Sequence, residues 1–222
     1  MNDQAQVLKI DVISDVVCPW CYLGKKRLAR ALAAERSENI EVHWRPYQLD
    51  PSIPPGGVDR QAYLRNKFGD DGRLAQVHER LRALGAEEGL AFAFDEIERA
   101  PNTLDAHRLI RWASETGLQD AIVERLFSLY FQEGRDIGDR RLLAETAREA
   151  GMDFKDVEKR LSEGVDESEV RREISQAQSL GVTGVPFFIF ASRFGVPGAQ
   201  SAEVLSTAIE RARNSLAGVE AA

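Results

Sequence analysis

Both cysteines of the chain fall within one tetrapeptide, Cys18-Pro19-Trp20-Cys21. Its setting restricts the fold more than any other feature. Upstream, Val7 to Ile13 alternates and is rich in β-branched residues, so it reads as a strand. Downstream, Pro19 suits the first position of a helix, where its missing N–H would be unpaired anyway. Cys18 is then the N-cap residue of a helix expected to run to about Glu35. Cys21, Gly24, Leu28, Ala31 and Leu32 share one stripe at helical spacing, which is the predicted buried face. One cysteine would sit at the helix tip and the other would point inward. Ile40 to Trp44 alternates again, so strand, helix and strand with a right-handed crossover make a parallel βαβ unit.

The remaining sequence is long enough to interrupt such a domain. With 222 residues the chain allows one large domain or a domain with an insertion. Leu49 to Gly57 is a loop rich in proline and glycine and marks the clearest change of composition. Helical patterns follow near 59–68, 72–88, 103–116, 119–133, 139–150, 154–163 and 166–180. Thr103, Asp139, Asp153 and Asp166 are N-cap candidates, and Gly117, Gly151 and Gly181 suit helix C-termini. Asp166 with Glu169 resembles a capping box. Ala91 to Phe94 is ambiguous, with a short extended piece as one reading. Val185 to Phe190 reads as a buried strand opening near a proline, Phe194 to Val196 as a short antiparallel return, and Ser201 to Leu216 as a last helix. The expected fold is α/β, with residues 1–56 and 166–222 forming one domain and residues 57–165 an all-helical insertion.

Charge and hydropathy narrow the function classes. A net charge of −7 offers no broad basic footprint for nucleic acid. No apolar run approaches the ~18–20 residues of a membrane span, so no membrane partner is expected. The amino end has no basic segment ahead of an apolar one, which predicts a cytoplasmic location. A structural disulfide is disfavoured in that compartment, and a transient catalytic one is not.

The chemistry centres on Cys18 and Cys21. Free N–H groups and partial positive charge at a helix N-terminus stabilise a thiolate, the form that attacks disulfides. Residues three apart on a helix are neighbours, so Cys21 could resolve a mixed disulfide held by Cys18. A zinc half-site is the competing reading, but structural zinc needs four ligands. His43, His78 and His107 are scattered, so no metal site is predicted. His78-Glu79 opens like a zinc-protease helix, but Arg82 stands where the second histidine is needed. Lys25, Lys26, Arg27 and Arg30 make the first helix basic and are expected to form a solvated face. Trp20 and Tyr22 flank the pair as a candidate apolar rim. Thr103 and His107 share one helix face, which by spacing alone is a capped helix with a boundary histidine.

These segments together resemble DsbA-like members of the thioredoxin superfamily, of the FrnE type. The residues carrying the resemblance are Ser14-Asp15, Cys18-Pro19-Trp20-Cys21 and Gly24, then Pro101-Asn102-Thr103 with Ala106-His107-Arg108. They continue with Gly181-Val182, Gly184-Val185-Pro186, Phe188 and Gly198-Ala199-Gln200, so the match runs through nearly the whole chain. The resemblance implies a thioredoxin fold interrupted by a large all-helical insertion that caps the active-site cleft. It implies a thiol–disulfide oxidoreductase with Cys18 and Cys21 as the catalytic pair and Pro19, Trp20, Val185 and Pro186 in support. It implies a cis Val185–Pro186 bond facing the pair, with Asn102, Thr103 and His107 lining the substrate cleft from the insertion. Its substrates would be disulfide- or dithiol-containing proteins or small thiols, with no tightly bound cofactor and glutathione as a candidate co-substrate. The Pro-Trp dipeptide differs from the Gly-Pro of thioredoxins and the Pro-His of strongly oxidising DsbA proteins, so redox direction is not assigned. The alternative is a glutathione-dependent isomerase or transferase like 2-hydroxychromene-2-carboxylate isomerase or kappa-class glutathione transferase. Those relatives carry serine at the position of Cys18. A holdase or redox-responsive binding protein is the third reading.

Overall fold

A computed structural model describes residues 6–35 and 39–218. Strand β1 (Leu8–Ser14) leads through a short turn into helix α1 (Pro19–Ala34), and β2 (Ile40–Pro46) returns parallel to β1. The register pairs Leu8 with Ile40 and Ser14 with Pro46. A two-residue ribbon follows, β3 (Val58–Asp59) paired with β4 (Arg99–Ala100), enclosing α2 (Arg60–Phe68) and α3 (Arg73–Glu87). Helices α4 (Leu104–Ser114), α5 (Gln119–Phe131), α6 (Arg140–Ala150), α7 (Phe154–Ser162) and α8 (Glu167–Ser179) come next. The chain closes with β5 (Phe187–Phe190), β6 (Phe194–Pro197) and α9 (Ala202–Leu216). The four long strands form one mixed sheet in the order β2-β1-β5-β6, so the two ends of the chain share it.

Alternation along β1 assigns its faces. Leu8, Ile10 and Val12 join the main core with Leu28 and Ala31 of α1 and Leu205 and Ile209 of α9. Ile13 faces the other way, toward Tyr47, Ala177 of α8 and Val182. Phe188 and Phe190 follow the first group, and Phe187 and Ile189 the second, as a period of two requires. Because β5 runs antiparallel to β1 with Ile13 opposite Phe187, the chain before β5 arrives where β1 ends.

The caps show which start signals operate. Asp59, Asp139 and Asp153 accept from N–H groups of their helices' first turns. Two expectations are corrected. Thr103 precedes α4 without capping it: its backbone, at φ −89° and ψ 3°, is not extended, its hydroxyl accepts from Gln48 Nε2 at 3.5 Å, and the Asn102 side-chain oxygen takes the Leu104 N–H at 3.0 Å. Asp166 and Glu169 form no capping box. Asp166 is left-handed at φ 63°, and its carboxylate instead accepts the Trp112 indole N–H at 2.8 Å. The ribbon was not anticipated. Ala91 to Phe94 is not a strand and runs into a 3₁₀ turn at Phe94–Glu96.

One buried ion ties α4 to α7 and to the turn before α8. The Arg108 guanidinium is 0% exposed and donates to Asp105 Oδ1 at 2.6 Å and to the Val165 carbonyl at 2.6 Å, with further donation to the Arg160 and Leu161 carbonyls. Removing it leaves those acceptors unpaired in the interior, which costs about 3 kcal/mol or more. Arg108→Met is expected to lower the urea unfolding free energy by that amount, and an unchanged midpoint would contradict this assignment.

Candidate active site

Cys18 occupies the N-cap position of α1, with Pro19 at the first helical position. Its N–H donates to the Asp15 carbonyl at 2.9 Å, which fixes the turn from β1 into the helix. Its thiol points at the Val185 carbonyl, 3.6 Å away. The Val185–Pro186 peptide bond is cis, and Pro186 packs against α1. Gly24 permits that approach, since a Cβ there would lie 3.0 Å from Pro186 Cγ and 3.2 Å from Phe188 Cζ. Both cysteines are free thiols. Cys18 is 4% exposed and Cys21 0%.

The two sulfurs differ in environment. Burial pushes the Cys21 thiol well above its ordinary pKa, and the hydrogen bond and charge of Cys18 push it further. The Ser14 hydroxyl and the Asp15 backbone N–H act in the opposite direction, favouring a Cys21 thiolate. Cys18 stands at the tip of α1, while Cys21 is a shielded thiol held in its protonated form by burial.

Cys18, Pro19, Trp20 and Val185 line a cavity of about 620 Å³ between the sheet end and the insertion. Its far wall comes from α2 and α3, through Tyr63, Leu64, Phe68, Leu74, Val77 and His78. Leu49 of the loop after β2, with Phe68 and Val77 of this wall, line the cavity and are more than two-fifths exposed. Helix α2 buries none of its residues. The cavity therefore presents apolar surface beside the thiol, which marks a binding site rather than a packing fault.

The predicted site residues fall into three groups. Cys18, Pro19, Trp20, Val185 and Thr103 line the cavity. Cys21 and Pro186 lie directly behind it, both buried. Asn102 and His107 are not on its wall. The Asn102 amide accepts from Gln48 Nε2 at 3.1 Å and donates to the Ile53 carbonyl, bracing the loop after β2. His107 is buried, with Nε2 3.4 Å from Asp15 Oδ1. Among the described residues no group of three or more His, Cys, Asp or Glu could hold a metal ion.

Two sequence expectations fail here. Tyr22 is no rim residue. It is buried, stacked on Phe127 with centroids 4.9 Å apart, and its hydroxyl donates to Glu124 at 3.0 Å. The basic run of α1 is only partly a solvated face, with Arg30 exposed. Lys25 is 6% exposed and meets Asp120 at 2.9 Å and Glu124 at 3.2 Å, while Lys26 meets Glu124 at 2.5 Å. Arg27 and Arg30 both bind Glu88, each at 3.1 Å. Those acids lie 58 or more residues away, beyond the reach of a local pattern. Tyr63, His78 and Asp15 were not singled out as cavity residues because only the packing of α2, α3 and the turn before α1 brings them together.

His78 stacks on Phe94 with centroids 4.2 Å apart. Burial first, then the charges of Arg60 and Arg82, pull its pKa down to about 4, against the pull of Asp95. The folded state thus binds fewer protons than the unfolded one between pH 6.5 and about 4. Stability from this group is full above pH 6.5 and is lost as pH falls through 4. His78→Leu is expected to flatten the acid limb of the stability–pH curve by up to one proton's slope, measured by urea denaturation. An unchanged slope would show that the imidazole is hydrated and protonates freely.

A family model for the DSBA-like thioredoxin domain matches residues 9–210. A crystal structure described as a probable DsbA oxidoreductase from Streptomyces coelicolor shares 34% identity, covers 97% of this chain and 92% of its own, and superposes with a TM-score of 0.86. A 2-hydroxychromene-2-carboxylate isomerase has the same fold at 17% identity, with 96% and 100% of the two chains covered and a TM-score of 0.72. The cytosolic disulfide reductase DsbM of Pseudomonas aeruginosa, solved with GSH, does so at 20% identity, 95% and 98% coverage and a TM-score of 0.62. With a dithiol at the helix tip, a thioredoxin-type sheet built from both chain ends and a match over most of its length, the chain belongs to the DSBA-like thioredoxin domain family.

Proposed function

We propose that this protein is a cytoplasmic thiol–disulfide oxidoreductase of the FrnE type, acting through Cys18 and Cys21. The observation that carries the reading is the asymmetry of the two thiols. Cys18 stands on the wall of an apolar cavity, at a helix N-terminus and 3.6 Å from the Val185 carbonyl, and Cys21 is enclosed behind it. A Cys18 thiolate attacks one sulfur of a substrate disulfide, and the other sulfur leaves as a thiolate. Cys21, three residues on, then attacks Cys18 in the mixed disulfide, and the second substrate sulfur leaves. The reverse sequence transfers the Cys18–Cys21 disulfide to a dithiol.

The insertion, residues 57–165, selects substrates. A volume of about 620 Å³ lies within the range of roughly 300–1,000 Å³ typical of small-molecule sites. Its apolar lining favours a disulfide whose sulfur carries an apolar group, whether a small molecule or a projecting side chain. Glutathione is the proposed co-substrate, and one neighbour of the same fold, DsbM, was solved with GSH. The isomerase alternative gains no observation of its own, since that likeness is one of fold.

The test is reduction of an aryl–glutathione mixed disulfide, coupled to glutathione and glutathione reductase. Cys18→Ser is expected to abolish turnover, a loss of about three orders of magnitude or more. Cys21→Ser is expected to accumulate a mixed disulfide on Cys18, seen as added mass in the intact protein. Val77→Asp is expected to raise KM about tenfold with kcat nearly unchanged, because it charges the wall without touching the thiols. Wild-type turnover by Cys18→Ser would overturn the reading.

A further inference from the structure

One cation in the wall of the front cavity has no anion beside it. Arg60, Lys67 and Arg73 all line that cavity. Arg73 pairs with Asp71 at 2.6 Å, and Lys67 donates to the Tyr63 hydroxyl at 2.7 Å with Asp50 3.9 Å away. Among the described residues no carboxylate lies within 4.0 Å of the Arg60 guanidinium. Its hydrogen-bond partners are neutral: Nη1 donates to the Phe94 carbonyl at 3.0 Å, and the guanidinium also bonds the Tyr130 side chain. A guanidinium carries five N–H donors, so these two acceptors leave donors over for a ligand.

The position of this charge is fixed. Arg60 opens α2, is half-buried, and donates its backbone N–H to the Glu98 carbonyl at 2.9 Å. Arg60, Leu64, Leu74, His78 and Phe94 line the front cavity and also an adjoining cavity of about 700 Å³, bounded by α2, α3 and the chain before β4. Cys18, Pro19, Trp20 and Val185 line only the first. The shared residues therefore form the partition between the two cavities, and Arg60 sits in that partition, away from the thiols. Leu64, Leu74 and Phe94 surround the charge with apolar surface. Burial, then the charges of Arg60 and Arg82, keep His78 neutral, so Arg60 is the cation of the partition at neutral pH. The nearby acids are engaged elsewhere: Asp59 accepts the Ala62 N–H at 2.7 Å, and Asp95 binds Arg82 at 2.7 Å. A cation withdrawn from water attracts an anion more strongly than one in bulk solvent, and the guanidinium fork matches a carboxylate.

We infer that Arg60 determines the specificity of the cavity, and that the disulfide it selects is a small molecule in which one sulfur carries a ring-sized apolar group ending in a carboxylate. The inference rests on the oxidoreductase reading and narrows it to one substrate class. The apolar body of the group lies against the wall formed by Phe68, Leu74 and Val77, and its carboxylate meets Arg60 at the partition. A carboxylate para to sulfur on an aromatic ring has this form, with its charge at the end of the ring remote from the reacting atom. A cysteine residue of a protein does not, because its sulfur bears only a methylene and the backbone beyond it. Arg60 touches no sulfur, so the exchange steps between substrate, Cys18 and Cys21 are those already described and no further oxidant or reductant enters.

The probes are two glutathione mixed disulfides that share a shape and differ in charge, one of 4-mercaptobenzoate and one of its neutral amide, 4-mercaptobenzamide. Turnover by the full-length protein is followed through glutathione reductase and NADPH. The wild-type protein is expected to prefer the carboxylate about thirtyfold in kcat/KM, the size of one charge-assisted hydrogen-bonded contact. Arg60→Gln is expected to bring that ratio close to one, and Arg60→Lys, which keeps the charge but loses the fork, to hold it at about fivefold. Both probes carry the same glutathione half, so the ratio reads the other group alone and cancels any general loss of active protein. A wild-type ratio close to one would overturn the inference. Equal losses on both probes in Arg60→Gln would also overturn it, because they would place Arg60 on the glutathione half or in a purely structural role. A wild-type protein that turns over neither probe would overturn the oxidoreductase reading itself, and the inference with it.

Discussion

The pairing of β1 with both of its neighbours is the constraint on which the site depends. β2 runs parallel to β1, and β5 runs antiparallel with Ile13 opposite Phe187. Three chain segments therefore meet at one end of the sheet: the turn into α1, the loop after β2, and residues 184–186 before β5. Each is then fixed by backbone hydrogen bonds. The Cys18 N–H donates to Asp15, the Tyr47 N–H to Ser14 and the Gly198 N–H to Pro186. A slip of one residue in β5 would turn Phe188 and Phe190 out of the core, so the position of Val185 opposite the thiol is held by hydrophobic burial far from it.

A second set of contacts holds helix α1 from the other side. Lys25 and Lys26 meet acids of α5, and Tyr22 stacks on Phe127 of the same helix. Burial opposes charge on Glu124, yet Lys26 and Lys25 hold its carboxyl below the usual range. A lysine as buried as Lys25 needs such partners. The insertion therefore does more than cover the cavity. It clamps the helix that carries the thiols, while the weakly buried α2 and the neighbouring α3 form the far wall of the cavity.

The long elements were legible in the sequence because their signals are local. The alternation of Val7–Ile13, the Cys18-Pro19 start of α1 and the glycine ends of α4, α6 and α8 each act within a few residues. The dithiol was legible because Cys18 and Cys21 are one helical turn apart. What stayed hidden is non-local. The Val58–Asp59 ribbon with Arg99–Ala100 is too short to show a period. The pairing of Arg27 with Glu88, and of Lys25 with Asp120, turns an apparent solvent face into an internal one. His107 and Asp15 carry no joint motif, since they come from a helix and a turn that only the packing of α4 on the sheet brings together.

The central claim is that Cys18 and Cys21 form a working redox couple. The direct measurement is equilibration of the protein in glutathione buffers of graded redox ratio, read by tryptophan fluorescence and checked by thiol alkylation. The expected result is one reversible dithiol–disulfide transition with a potential between the thioredoxin value of about −270 mV and the DsbA value of about −120 mV. A protein that forms no Cys18–Cys21 disulfide at any ratio would contradict it.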